Sequence, residues 1–450
     1  MTKPISQSSA AAFQVGYSRV DITPEAFGMP LGGWGQTDKR LHNKVLDNIY
    51  ASCVAITGTN GKTLLLMSVD LLNSYAHDTI RKKIQQELGI PYEYILWAAT
   101  HTHSAPDPYS PINAGYMKTV YEKAVCAARL ALEDRTAATI SIGRTQVEGL
   151  NYIRHFVMND GTYAGANFGN LSSGIKGYIS ENDTSVQIIK FARPDGKKDI
   201  IMANAQGHPL ITSGLTLPDL SADVVGAARQ QVESQTDAHF ILFMGASGDV
   251  NMGTRLPRGD GKNQEDYQAF GKLLADGVVA ALDTLEPIAA GDVRSAHQTY
   301  MGQVNRQMED QLDDARKIQE LYNRTDRDTG NVLARSLGFS SVFHANGVIA
   351  RSHIPEDELP IGLNVFSFGD ICFAAGPYEM FTAHGMRIKE GSPYTMTFVA
   401  SCGNGAVGYL PTEFAFQLGC YESHTSQFTG DTGTNCAETL VKMLQTMKAQ

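Results

Sequence analysis

The spacing of His101 and His103 puts both side chains on one face of an extended chain. The apolar segment 94–99 before them is typical of a buried strand, and Pro106 and Pro108 after them end any strand. Two imidazoles at the end of a strand can bind one metal ion together, or one can bind the metal ion while the other faces a substrate. A loop with two polar histidines is the alternative that this motif leaves open.

Polar residues also follow other apolar segments along the chain, and connecting loops commonly carry function on a rigid scaffold. The residues in these positions are His208, Asp249, Glu379 and Tyr409. Two or three histidines with one carboxylate suit a catalytic zinc ion, which keeps one position open for water. Taken singly, each residue has a structural interpretation, because His208 can bond a turn, Glu379 can cap a helix and Tyr409 can pack.

The elements that must position these residues follow from apolar patterning. The order strand, helix, strand over residues 62–99 predicts a parallel βαβ unit, and ligands gather beyond the carboxyl ends of such strands. Asn60-Gly61 predicts a hairpin turn. Residues 303–323 are charged on most faces and are interpreted as a solvated helical insertion. We expect a disordered tail at 1–12 and a single domain at 13–450.

Bulk composition narrows the class of protein. The chain has 450 residues and a net charge of −10, without a basic patch, which argues against a nucleic-acid partner. No apolar window is long enough to span a membrane, and the first residues lack the apolar core of a signal peptide. Six scattered cysteines favour reduced thiols and a cytoplasmic location. The partner we expect is a small-molecule substrate, and the oligomeric state stays open.

Several short motifs are spread over most of residues 13–425: Val20-Asp21-Ile22-Thr23-Pro24, Met29-Pro30-Leu31-Gly32-Gly33, Val45-Leu46-Asp47 with Tyr50, His101-Thr102-His103-Ser104-Ala105-Pro106, the Gly-His pair at His208, Ser221-Ala222-Asp223, the glycine-rich segment at 245–250, Gly376-Pro377-Tyr378-Glu379, and Gly408-Tyr409-Leu410-Pro411-Thr412 followed by Tyr421-Glu422. Together, and in this order, they resemble one family, the neutral (alkaline, non-lysosomal) ceramidases.

The resemblance implies an α/β catalytic domain, with mixed, largely parallel sheets flanked by helices, that holds one zinc ion and cleaves an amide. Carried over residue by residue, it implies zinc ligation by His101, His208, Glu379 and the phenolic oxygen of Tyr409. It also implies that three further residues face the scissile group: His103, Arg154 and Tyr421.

Two features depart from the family pattern. Asn251 stands where the amidase signature has a serine, and an amide side chain can donate a hydrogen bond but cannot act as a hydroxyl nucleophile. We also expect no C-terminal immunoglobulin-like domain. The function we expect is zinc-dependent hydrolysis of an amide or ester bond in a soluble, polar small molecule. A metal-dependent lyase or glycoside-cleaving enzyme acting on a sugar derivative, and a non-catalytic binding protein with a relic metal site, are the alternatives.

Overall fold

The computed structural model of the chain describes residues 12–35, 39–194, 196–214, 217–254 and 265–450. All but the last residue of the expected tail at 1–12 lie outside this range. The helices are α1 (His77–Leu88), α2 (Ala114–Glu133), α3 (Asp223–Gln235), α4 (Tyr267–Ala281), α5 (Leu312–Arg324), α6 (Arg327–Ser336), α7 (Val342–Ser352), α8 (Thr382–Gly391), α9 (Glu413–Leu418), α10 (Tyr421–Thr425) and α11 (Thr432–Lys448).

The strands include several very short ones near the predicted site. They are β1 (Phe13–Asp21), β2 (Lys44–Val45), β3 (Tyr50–Thr57), β4 (Thr63–Val69), β5 (Ile95–Ala99), β6 (Thr136–Gln146), β7 (Asn151–Ile153), β8 (His155–Met158), β9 (Tyr163–Gly165), β10 (Ile175–Tyr178), β11 (Ser185–Ala192), β12 (Asp199–Ala205), β13 (Asp219–Leu220), β14 (Ala238–Met244), β15 (Val250–Met252), β16 (Glu286–Ile288), β17 (Val293–Gln303), β18 (Glu358–Phe368), β19 (Ile371–Ala375), β20 (Glu379–Met380), β21 (Met396–Ala400) and β22 (Tyr409–Leu410).

Two large sheets pack face to face between outer layers of helices. One sheet has nine strands in the order β14-β12-β11-β6-β1-β3-β4-β5, with β16 beside β6, and the other has the order β17-β18-β19-β21. Aromatic residues such as Phe243, Phe373 and Phe398 fill the space between the sheets. Helices α1 to α4 cover the outer face of the larger sheet, and α8 and α11 cover that of the smaller one. The fold is therefore mixed α/β, as expected.

The apolar runs in the sequence reflect burial on both faces of a strand. In β4, Leu64 and Leu66 contact the core between the sheets, whereas Leu65 and Met67 contact the core under α1 and α2. Successive side chains of a strand point to opposite faces, so both faces must be apolar where both are covered. None of the described helices has the length and apolar character needed to cross a membrane.

The sheets were expected to be largely parallel, but most strand pairs in the two large sheets are antiparallel. The parallel pairs in the two large sheets are β4–β5, β12–β14 and β19–β21, and the remaining pairs are antiparallel. Short connections such as Asn60-Gly61 between β3 and β4 force antiparallel neighbours, since only a long crossover can join parallel strands. The βαβ unit predicted at 62–99 is present as β4, α1 and β5.

The helical insertion differs in position and character from the solvated helix predicted at 303–323. Strand β17 runs through Gln303, and three helices, α5 to α7, follow from 312 to 352. Ala315, Ile318 and Tyr322 form a narrow apolar stripe on α5 that packs into a small core shared with α6 and α7. Because charged residues surround this stripe, the sequence pattern conceals its buried face. We call residues 312–352 the helical insertion below.

Candidate metal centre

The predicted ligands lie beyond the carboxyl ends of parallel strands. His101 follows β5, and His208 follows β12. Glu379 opens β20, four residues after the end of β19, and Tyr409 opens β22, nine residues after the end of β21. The four side chains meet beyond the ends of strands that belong to the three parallel pairs. Ligands are expected at this position, beyond the carboxyl ends of parallel strands.

Backbone strain marks the turn after β5. His101 has a φ of 68°, a left-handed conformation that is rare for residues other than glycine. Its N–H donates to the Leu71 carbonyl at 3.0 Å, and the preceding Thr100 N–H donates to Val69 at 2.8 Å. Such strain persists where surrounding contacts over-determine it, and it clusters at functional sites.

Three histidines each have one ring nitrogen against a different backbone carbonyl. The Nδ1 atoms of His101, His103 and His208 lie 2.5, 3.2 and 3.1 Å from the carbonyl oxygens of Leu72, Gly33 and Val250. A carbonyl only accepts, so each Nδ1 carries a hydrogen, which leaves Nε2 as the nitrogen that can bind a metal ion. This tautomer is the one that a metal-ligating histidine needs.

The Nε2 atoms of His101 and His208 meet one carboxylate, and that of His103 lies beside them. Nε2 of His101 lies 3.4 Å from Nε2 of His103 and 3.2 Å from Oε2 of Glu379, and His208 Nε2 lies 2.8 Å from the same oxygen. The three histidine donor atoms lie within 4.8 Å of one another, and all three residues are buried. Tetrahedral zinc with bonds of about 2.1 Å separates its ligands by about 3.4 Å. The donor set therefore fits a divalent metal ion.

The electrostatic environment favours this donor set. Burial, together with His101 and His208, holds the pKa of His103 well below its usual range, and burial lowers the pKa of His208 to about 4. Burial opposes ionisation of Glu379, but His101 outweighs it and holds the carboxyl pKa well below its usual range. Burial would lower the pKa of His101, but Cys402 and the Glu379 carboxylate outweigh it and raise that pKa well above its usual range. A metal ion that binds here therefore displaces a proton from His101.

Tyr409 lies beside the cluster. Its ring centroid is 6.3 Å from that of His208 and 5.8 Å from that of Tyr421. Burial and the Glu379 carboxylate hold the pKa of Tyr409 well above 10, so its oxygen is a neutral phenol at neutral pH unless a cation binds it.

Two cavities flank the cluster. The larger, of about 1050 Å³, has an aromatic and apolar wall that includes Trp34, Tyr152, Phe156 and Phe343. The smaller, of about 210 Å³, contacts His101 and Glu379 directly. Both cavities share the following lining residues: Gly33, His103, Tyr409 and Tyr421. His103 and the two tyrosines therefore lie between the larger cavity and the smaller cavity beside Glu379.

Arg154 lines the larger cavity and is held by a buried ion pair. Its Nε and Nη2 lie 2.8 and 2.6 Å from Oε1 of Glu422, which is fully buried. His155 Nε2 lies 2.8 Å from the other Glu422 oxygen. Despite burial, His155 and Arg154 lower the pKa of Glu422 to about 2. His155, Cys420 and Glu422 also lie close enough to hold a metal, but these contacts already occupy both carboxylate oxygens.

Asn251, which the motif resemblance aligns with the serine of the amidase signature, contacts two cavity residues. Its Oδ1 accepts from Nη1 of Arg154 at 3.3 Å, and its Nδ2 donates to the Tyr152 hydroxyl at 3.2 Å. It also lies beside His208 through a parallel bridge of the backbone. The structure thus brings every predicted site residue to one region.

Sequence reasoning missed the residues that hold this region in place. Buried Arg40 donates to the carbonyls of Gly32 and His103 at 2.9 and 2.6 Å, which draws the glycine loop over the histidine. Gly33 has a φ of +94°, and a Cβ there would lie 2.2 Å from Nδ1 of His103. Only glycine lets this carbonyl approach the ring. In the sequence, the glycine-rich cluster Met29 to Gly33 indicates a loop that can approach another group closely. No motif near Arg40 indicates the role of that residue.

Comparison with known proteins finds similarity in structure and none by sequence. The sequence matches no protein-family model and no curated protein. The crystal structure of neutral ceramidase from Pseudomonas aeruginosa matches with 15% identity and a TM-score of 0.71, over 98% of this chain and 75% of that chain. A ceramidase complexed with C2 matches with 14% identity and a TM-score of 0.71, over 98% and 76%. The resemblance noted in the sequence is confirmed at the level of fold: the chain has a neutral-ceramidase-like fold.

Proposed function

We propose that the protein is a metal-dependent hydrolase that cleaves an amide or ester bond of a small polar substrate. In this proposal His101, His208, Glu379 and Tyr409 hold one zinc ion. The supporting observation is a cluster of three Nε2 atoms, each on a ring whose Nδ1 faces a backbone carbonyl, with the Glu379 carboxylate, beside a cavity of about 1050 Å³. When bound, zinc polarises a carbonyl and lowers the pKa of a coordinated water to near 7, as in other zinc hydrolases.

The residues around the cluster have distinct proposed roles. His103 is neutral, and its Nε2 can take a proton from the attacking water and return it to the leaving group. Arg154 and Tyr421 donate to the substrate oxygen as negative charge develops there. Asn251 orients Arg154 through the contact at Nη1. The water oxygen bonds to the carbonyl carbon, the C–N or C–O bond breaks, and the leaving group departs with one proton.

The first experiment is the metal content of the purified protein beside His101→Ala and Glu379→Ala. We expect about one zinc per chain in the wild type and little in either variant. The exposed His353→Ala variant is the matched control and should keep the metal. Wild-type protein that binds no zinc after reconstitution would contradict the proposal.

Product analysis then separates the possible reactions. Amides, esters and glycosides are supplied to the zinc-loaded protein, and hydrolysis is expected to add the elements of water to the products. An unsaturated product formed without water would favour a lyase. No turnover in the presence of stoichiometric zinc would favour a binding protein.

A further inference from the structure

The helical insertion supplies part of the wall of the larger cavity. Arg327, Phe343 and Asn346, from α6 and α7, line it together with Trp34 and Tyr421. The Phe343 ring lies 5.8 Å from that of Tyr421, so the insertion contacts a residue of the candidate site directly.

The insertion is clamped to the helix that carries Tyr421. The rings of His344 and His424 stack with centroids 3.7 Å apart and an interplanar angle of 2°. Ser340 Oγ lies 2.8 Å from Nδ1 of His424, and Arg351 donates to the His424 carbonyl at 2.8 Å. Packing and hydrogen bonds between the helical insertion and α10 therefore fix the position of Arg327 relative to Tyr421.

Arg327 is the unpaired charge of the cavity wall. Arg154 is neutralised by Glu422, whereas the side chain of Arg327 makes no ion pair or hydrogen bond with any residue in the described ranges. No carboxylate belongs to the described lining of the cavity, although the whole chain has a net charge of −10. The neighbouring Asp326 carboxylate caps α6 through the Thr329 N–H at 2.8 Å and does not line the cavity.

A second donor lies on the same wall. The amide oxygen of Asn346 accepts from Gln319 Nε2 at 3.2 Å, which leaves its NH2 group to donate. A guanidinium and an amide NH2 are both donors to carboxylate oxygens, and charge-assisted bonds such as that of the guanidinium are the stronger ones.

We infer that the substrate of this site carries a carboxylate, and that Arg327, assisted by Asn346, is the specificity-determining residue that binds it. The inference rests on the proposed hydrolase function and names its substrate class: amides or esters whose acyl or leaving part bears an anionic group. The aromatic residues Trp34 and Phe343 contact the apolar part of such a molecule.

The kinetic test uses a pair of amides that differ in charge, N-benzoylglycine and N-benzoylethanolamine, with zinc-loaded protein. We expect Arg327→Gln to lower kcat/KM for the acid by about 10- to 100-fold, mainly through KM, and to change that for the alcohol less than about twofold. Arg327→Lys should restore part of the loss. Arg324→Gln, at an exposed position of the same insertion, should change neither. Equal effects of Arg327→Gln on both amides, or none, would overturn the inference while hydrolysis stands.

A binding test needs no turnover. Trp34 lines the cavity and the other tryptophan, Trp97, is fully buried, so tryptophan fluorescence reports on ligands in the cavity. With zinc bound, 3-phenylpropionate should bind about 10-fold more tightly than 3-phenylpropanol, and Arg327→Gln should remove the difference. If this holds but no amide or ester is cleaved, the anion site stands and the hydrolase proposal fails. A preference for the acid that Arg327→Gln leaves intact would assign the anion to the metal and refute the role of Arg327.

Discussion

Glu379 lies directly opposite Tyr409 in a parallel ladder of two residues per strand. Paired residues of a parallel ladder send their side chains to the same face, so the carboxylate and the phenol reach the same side of the cluster. Backbone bonds support this arrangement, since the Glu379 N–H donates to the Gly408 carbonyl at 2.9 Å. The ladder thus brings two residues 30 positions apart to one side of the cluster.

Removing the Tyr409 hydroxyl tests whether its oxygen is a ligand. We expect Tyr409→Phe to weaken zinc binding by at least about 10-fold, because one donor of the set is lost. Tyr421→Phe is the matched control, since Tyr421 lines the same two cavities, and it should keep the metal while lowering kcat by about 10²-fold or more. Zinc affinity is measured by competition with a chelator. Unchanged affinity in Tyr409→Phe would point instead to His103, whose Nε2 lies 3.4 Å from that of His101.

Replacing His103 separates proton transfer from metal binding. We expect His103→Gln to keep about one zinc per chain and to lower kcat by about 10²- to 10⁴-fold, since the proton carrier is lost. Metal content and kcat are measured on the same preparation. Loss of the metal in this variant would show that His103 is a ligand and would remove its proposed catalytic role.

The Arg154–Glu422 pair should be important for stability as well as for the site. Glu422→Gln leaves a buried guanidinium without its counter-charge, and we expect a loss of about 3–5 kcal/mol in the free energy of unfolding. Glu320→Gln breaks the exposed pair with Arg324 and should cost less than about 1 kcal/mol. Urea unfolding followed by circular dichroism measures both. Equal losses in the two variants would contradict the role of burial.

The stacked histidines His344 and His424 predict a pH dependence of stability. Burial, with nearby positive charge, lowers their pKa values to about 3 and about 4, whereas the unfolded chain titrates near 6.5. Between these values the unfolded state binds more protons, so their contribution is fully present above about pH 6.5 and is lost as the pH falls toward 4. Each histidine adds a slope of up to about 1.4 kcal/mol per pH unit in this window.

His344→Phe keeps the stacked ring and removes one titrating group. We therefore expect a shallower fall in unfolding free energy between pH 6.5 and 4 than in the wild type. Exposed His297→Gln serves as the control and should retain the wild-type slope. The measurement is a series of urea titrations across this range. An identical slope in all three proteins would show that the stack does not govern acid stability.

The fold class and most elements were predictable because they depend on local pattern. Continuous apolar runs such as Leu64 to Met67, and turn residues such as Asn60-Gly61, determine strands and hairpins wherever they occur. The position of His101 and His103 beyond β5 followed from the same patterns. Strand direction was misjudged in proportion, because burial on both faces makes antiparallel strands as uniformly apolar as parallel ones.

What the sequence by itself determined was the set of chemical groups and the strand ends that carry them. Tertiary structure alone decided which ring nitrogens face the cluster, because the carbonyls of Gly33, Leu72 and Val250 that hold the other nitrogens come from segments far from their partner histidines. It also decided that Arg327 of the helical insertion joins the cavity wall and that Glu422 neutralises Arg154. These contacts join residues 29 to 268 positions apart, and residue type alone does not reveal which carbonyl or carboxylate will meet a given side chain.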